Sequence, residues 1–196
     1  MGGLSIQKLR QRYVIQVVTW RHMKFLADRM LGRLSSWLRI LGYDTLSANS
    51  FDGLSNAEED TLMLELSGSE KRALLTRDTQ LHTRARQKCG IPSLLVQDGD
   101  VLRQLNQVRN HYGLVFPEEP ETVRCSVCNG MLELASSEEI SHSHEINKLR
   151  AKSVDIEKFV QRYARFYKCS QCSKIFWKGQ HWRNMVNKTR LLSGQH

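Results

Sequence analysis

The sequence predicts an α/β fold, a parallel sheet covered by helices, followed by a small cysteine-bearing module. Three observations predict it. Short apolar stretches alternate with helix-period segments in the order β-α-β-α-β-α-β-α, the pattern of a parallel, helix-covered sheet. Several of those stretches run into a carboxylate. Four of the five cysteines form two Cys-x-x-Cys pairs, both after an acidic, proline-bearing linker at 116–121.

Residues 1–22 read as an N-terminal extension. Residues 1–21 hold no acid, and Tyr13–Trp20 is β-prone. That stretch suits an extra edge strand or a lead-in to a domain opening at Met23. A basic, acid-free start also suits a transit sequence, although this one is poor in Ser. Lys24–Ala27 is a compact apolar strand ending at Asp28. Met30, Leu31, Leu34, Trp37, Leu38 and Leu41 then recur at helical spacing up to a stop at Gly42. Tyr43–Ala48 follows as a strand. A helix capped by Ser55 or Asn56 carries Glu58, Glu59 and Asp60 in its first turn, where the macrodipole favours anions. Ala73–Thr76 is the next strand and leads to Asp78. Thr79–Lys88 reads as a helix, Ile91–Val96 as a strand leading to Asp98, and Val101–Tyr112 as a helix capped by Asp100 and stopped by Gly113. Residues 23–116 form this first domain. Residues 121–186 form the cysteine module, with a polar, weakly ordered insertion at 136–153, and 187–196 is a C-terminal tail.

The 196 residues suit one domain with an appendage, and 40% hydrophobic content supports a folded core. No apolar run approaches the roughly eighteen residues of a membrane helix. Lys8, Arg10, Gln11 and Arg12 interrupt the opening, so no secretory signal is expected. A cytoplasmic location is the expectation. The net charge is +9, and residues 121–196 hold thirteen Lys/Arg against seven Asp/Glu. That balance favours nucleic acid or an anionic surface as partner.

Parallel strands put their C-terminal ends on one sheet edge. Asp28, Asp78 and Asp98 therefore meet there, joined by Glu59 or Asp60 from a helix start. Each acid alone is as well read as a helix cap. Together they repel unless a cation sits among them, and Mg²⁺ or Mn²⁺ suits such oxygen ligands. A two-metal site of that kind hydrolyses phosphodiesters. In Thr76-Arg77-Asp78 the Thr hydroxyl can orient the adjacent carboxylate or a bound water. Arg29, Arg33 and Arg39 are expected on one helix side beside Asp28, guiding a phosphate backbone inward or simply solvated.

With no secretion signal, Cys125, Cys128, Cys169 and Cys172 read as a closed four-cysteine zinc site with a structural role rather than as disulfides. Cys89 reads as a buried structural thiol. In Ile175–Arg183, aromatics interleave with cations. Lys178, His181, Trp182 and Arg183 are candidate RNA contacts, while Phe176 and Trp177 either stack on bases or pack the module's core. His142 and His144 read as solvated loop residues rather than metal ligands.

The run from Phe25 through Asp28, Gly32, Trp37 and Gly42 to Thr45 resembles the start of the PIN-type RNase domain at the C-terminus of Mutator-seven-type exonucleases. Leu74–Asp78, Arg124–Gly130 and Tyr167–Trp182 resemble its later motifs, in order. The resemblance implies a PIN-like fold followed by a zinc ribbon, with metal-dependent ribonuclease activity on RNA, structured or ribosomal RNA included, and a homodimer as one arrangement. It puts the first-strand acid on Asp28, the Thr-x-Asp acid on Asp78 and the helix acid on Asp60, with Glu59 as fallback and Asp98 as fourth acid. Arg29 stands where many relatives carry a second acid. Two functions follow: a metal-dependent endoribonuclease, or a non-catalytic RNA- or ribosome-binding module on the same fold.

Overall fold

A computed structural model describes residues 23–193 apart from 98, 121, 122 and 164. The expected extension over 1–22, with its candidate strand, lies outside the described residues. The chain folds as two compact units that part between Phe116 and Pro117, with Ile40–Gly42 grouped with the second.

The first unit is built on four parallel strands, β1 (Lys24–Ala27), β2 (Asp44–Ser47), β3 (Arg72–Thr76) and β4 (Ser93–Leu95), in the order β2-β1-β3-β4. The two central strands are apolar on both sides, as a sheet covered on both faces requires: Phe25, Leu26 and Ala27, and Ala73, Leu74 and Leu75, are all buried. Neighbouring residues point to opposite faces. Leu26 and Leu74 pack with Met63 of α2 (Asn56–Ser69), Leu81 of α3 (Thr79–Thr83) and Ile91. Phe25 instead meets Tyr43 and Tyr112 edge-on, the latter at the end of α4 (Val101–Tyr112).

Between β1 and β2 the chain makes a 3-10 turn at Arg29–Leu31, then α1 (Gly32–Ile40). Leu31, Leu34, Trp37 and Leu38 are buried, but Met30 is 62% exposed. The tighter turn, with three residues per revolution, takes Met30 off the apolar stripe expected of it. At Gly42 the backbone adopts φ +94° and lets the Tyr43 N–H reach back to Leu38 O at 2.9 Å. α2 opens with a capping box between Ser55 and Glu58. α3 passes into a π-helical turn at Arg84–Lys88, and Cys89 follows it. Cys89 is exposed, not buried as expected, because it stands in the turn before the left-handed Gly90.

In the second unit, β5 (Leu132–Leu134), β6 (Phe166–Cys169) and β7 (Ile175–Trp177) form an antiparallel sheet. The segment expected to be a weakly ordered insertion is folded. α5 (Ser137–His142), α6 (His144–Arg150) and α7 (Ile156–Arg162) place Ile140, Ile146 and Phe159 against Phe166, Ile175 and Trp177. Trp177 packs edge-on against Phe159 at 5.3 Å, and it is half-buried against the core. Residues 187–193 of the expected tail are the second half of α8 (Gln180–Ser193), where Thr189 and Leu192 are buried and Thr189 donates to Glu118 O at 3.0 Å; 194–196 lie outside the described residues. Among the described residues no helix is long and apolar enough to cross a membrane.

One buried cation ties the first sheet together. Arg72 donates to Asp44 and Glu70, each at 2.7 Å, and to Phe25 O at 3.3 Å, with its side chain 6% exposed. Removing one partner of a buried ion pair strands the others. Arg72→Met should lower this unit's stability by about 2–4 kcal/mol, seen as lost hydrogen-exchange protection in β1 and β3.

Candidate active site and metal centre

The C-terminal ends of the parallel strands form one edge, where open α/β sheets place ligands. Asp28 follows β1, and its N–H is held by Leu75 O at 3.0 Å. Its side chain is anchored on one oxygen: Oδ2 accepts from Thr76 Oγ1 at 2.6 Å and from the Arg77 N–H at 2.7 Å. Oδ1 is buried and accepts no hydrogen bond. Thr76 is fully buried and also accepts from the Asp78 N–H at 2.9 Å. The hydroxyl thus links the acid after β1 to the chain leading into the acid after β3. The carboxylate that Thr76 orients is Asp28, 48 residues away, and not the adjacent Asp78 that the sequence suggests.

Asp78 is exposed and caps α3, with Oδ1 accepting from the N–H groups of Gln80 and Leu81 at 2.6 and 2.9 Å. Both capping bonds use Oδ1, which leaves Oδ2 to face other partners. Asp60 is half-buried on α2 and receives Arg84 at 2.9 Å. Burial pushes its carboxyl above the ordinary value; Arg84 pulls it back, while Asp78 and Glu59 add to the rise. Asp60 therefore senses Asp78. Glu59 is engaged elsewhere, by Arg29, which also donates to Phe51 O. Asp98 lies outside the described residues.

The mutual repulsion expected to need a cation is thus met by arginines at the helix acids, Asp60 and Glu59. Arg84 is a residue that sequence reasoning misses: it stands in the π-helical turn, 24 residues from its partner, and nothing local in Arg-Ala-Arg-Gln-Lys signals that. Among the described residues the four cysteines are the only group of three or more His, Cys, Asp or Glu side chains placed to share one ion. Asp28, Asp60 and Asp78 do not close into such a cage. Mg²⁺ is commonly held by one or two carboxylates together with waters and substrate phosphates. An open edge with one orphaned carboxylate oxygen fits that habit.

The expected basic wall is partly lost. Arg33 is exposed on α1, and Arg29 is exposed but bound to Glu59. Arg39 is 4% exposed and donates to Thr45 O at 2.7 Å, so it is no RNA contact. Arg29 stands in the 3-10 turn ahead of α1, whereas Arg39 is buried near the end of α1 next to Leu38.

In the second unit the Sγ atoms of Cys125, Cys128, Cys169 and Cys172 lie within 4.8 Å of one another. Two pairs approach to 3.7 and 3.3 Å, against about 3.8 Å between thiolates on one tetrahedral zinc. The set is compatible with structural zinc. The two knuckles repeat one geometry. The first cysteine's N–H bonds the carbonyl five residues on, Gly130 or Lys174, and the residue after the second cysteine returns its N–H to the first cysteine's carbonyl. That returning residue, Asn129 or Ser173, is left-handed at φ 73° or 58°. At Cys169, burial works against ionisation, but N–H donors from Cys172 and Gln171 prevail and lower the thiol to about 7. Burial raises Cys125 and Cys172, so a metal must supply the remaining pull toward thiolate. His142 and His144 take no part in this group.

Of the expected RNA contacts, His181, Trp182 and Arg183 lie on α8, where His181 and Arg183 are exposed and Trp182 is half-buried. Lys178 binds Glu119 at 3.0 Å and lies over the Trp182 ring at 5.0 Å.

Fold and sites together define an α/β domain with an acidic strand-end site, followed by a four-cysteine metal module. The family model of the Mut7-C RNAse domain matches residues 23–189, and the chain belongs to that family. Membership implies a nuclease role directed at RNA. No curated protein and no solved structure matches the chain.

A Cβ at Gly130 would lie 2.8 Å from Cys169 Sγ. The zinc-loaded chain should carry one zinc per molecule. Cys125→Ser should abolish it, and Gly130→Ala should speed zinc loss to a chromogenic chelator by about tenfold.

Proposed function

We propose that this protein is a metal-dependent endoribonuclease with a PIN-like domain, hydrolysing RNA phosphodiesters at Asp28, Asp60 and Asp78, with Asp98 as a fourth acid. The observation that supports it is the split carboxylate of Asp28: Oδ2 saturated by Thr76 and Arg77, Oδ1 buried with no partner. Leaving a buried acceptor unsatisfied costs roughly 1–3 kcal/mol, and a cation there would offset that cost. Asp28 Oδ1 and Asp78 would hold a Mg²⁺ or Mn²⁺ ion, with Asp60 beside them. When bound, such an ion supplies Lewis-acid stabilisation and a more acidic water. The chain's own part is positional. Thr76 and the Arg77 N–H hold Asp28 in one orientation, the α3 cap holds Asp78, and Arg84 keeps Asp60 in place while moderating its repulsion from Asp78. The cysteine module assists RNA binding through Lys178, His181, Trp182 and Arg183, with Arg29 and Arg33 as further contacts in the first unit. Thiols kept free for zinc suit a reducing compartment, such as the cytoplasm.

A second reading, a non-catalytic RNA-binding module, is favoured by one observation. Glu59 and Asp60 already have arginine partners, Arg29 and Arg84, so the helix acids are neutralised without metal.

Cleavage of a labelled RNA in Mg²⁺ or Mn²⁺ separates the two. Asp28→Asn should cut at least about a hundredfold more slowly. Asp78→Asn should also lose activity while keeping its fold, because Asn caps helices as well as Asp. Thr76→Val should lower the rate about tenfold by freeing Asp28. Intact cleavage in both Asp variants excludes the proposed site, and no cleavage by the wild type with any divalent ion leaves the binding-module reading.

A further inference from the structure

We infer that a cavity in the second unit, between β7 and the start of α8, takes one unpaired RNA base. The inference rests on the RNA-directed reading above and adds a subsite to it. The cavity measures about 420 Å³, within the range that encloses small organic ligands. Its walls include Phe176, Trp177, Trp182 and Met185, and Arg124, Lys174 and Lys178 are among its basic residues.

Its aromatic surfaces are held in place before any ligand arrives. Trp177 is fixed by edge contacts with Phe159 and by its packing on Phe166 and Tyr163. Gly179 allows the chain to pass close to it: a Cβ there would fall 2.8 Å from Trp177 Nε1. Lys178 lies over the Trp182 ring. A preorganised wall spares the ordering entropy that a mobile one loses on binding.

Charge complementarity selects the occupant. Three cations among the lining residues outnumber the one lining carboxylate, Glu145, which already accepts from the Ile175 N–H at 3.3 Å, and of the three Lys178 is also paired with Glu119. An apolar peptide or a lipid tail would have no use for those cations. A nucleotide uses both features, its base stacking on the aromatic wall and its flanking phosphates meeting Lys174 and Lys178. Stacking reads no particular base edge, so one base of any identity is admitted.

The test uses the full zinc-loaded chain without Mg²⁺ or Mn²⁺, and short oligoribonucleotides. One oligomer is wholly abasic, and its twin carries a single central 2-aminopurine. The lone base should raise affinity about tenfold, and its fluorescence should be quenched on binding. Met185→Trp, which fills the cavity, should abolish both effects while leaving the salt-dependent affinity for the abasic strand. Phe176→Leu keeps apolar packing but removes an aromatic face, and should reduce the gain if the larger residue disturbs folding. A base that adds no affinity, a gain unchanged in both variants, or no binding to either strand overturns the inference. Cleavage of RNA without any base gain leaves the nuclease reading intact and removes the pocket. A base gain in a chain that never cleaves does the reverse.

Discussion

The hydroxyl of Thr76 is the contact on which the acidic edge depends. It sits fully buried at the end of β3, donates to Asp28 and accepts from the Asp78 N–H. A single side chain thereby ties the ends of two neighbouring parallel strands. With the Arg77 N–H, it saturates one oxygen of Asp28 and leaves the other without a partner. Paired bonds to one oxygen orient the carboxylate, and preorganised contacts of this kind make a metal or substrate site effective. The surrounding sheet serves that geometry. Arg72 anchors β1 to β2 and β3 at the opposite end, so the strand ends that carry the acids start from a stiff base.

The second unit reaches stability differently. Its three-stranded sheet is too small for a core of its own, and the long stretch between the cysteine pairs completes it. α5, α6 and α7 bring isolated apolar residues onto one side of the sheet. Lys168 of β6 reaches Glu139 of α5 at 2.8 Å, a tie between inserted helix and sheet. Four thiolates around one ion would close the knuckles. Their matched left-handed residues, Asn129 and Ser173, turn each knuckle back onto its first cysteine's carbonyl.

Much of this is legible in the sequence, and the parts that are not share a physical cause. Strand β1, the Asp100-capped helix α4 and the four cysteines depend on local signals: a continuous apolar run, a cap-and-glycine pair, a fixed spacing. Expectation fails where the signal is short or distant. The inserted helices are six or seven residues long, too brief for helical periodicity to stand out, so Ile140 and Ile146 are lost among charges. Arg39 is misplaced because its partner, the Thr45 carbonyl, lies beyond the helix on β2, and helical spacing does not show that. The pairings of Asp60 with Arg84 and of Glu59 with Arg29 span 24 and 30 residues, and no local pattern encodes them. Thr76 lies between these cases: its importance can be read from Thr-Arg-Asp, but its partner across the sheet cannot.

We read the free oxygen of Asp28 as a cation ligand. Titrating Mn²⁺ into the zinc-loaded chain, with free ion followed by electron paramagnetic resonance, addresses it without relying on catalysis. The wild type should remove Mn²⁺ from solution at a saturable site, and Asp28→Asn, which presents an amide in place of that oxygen, should remove far less at the same concentrations. Identical uptake by the two proteins would contradict the claim.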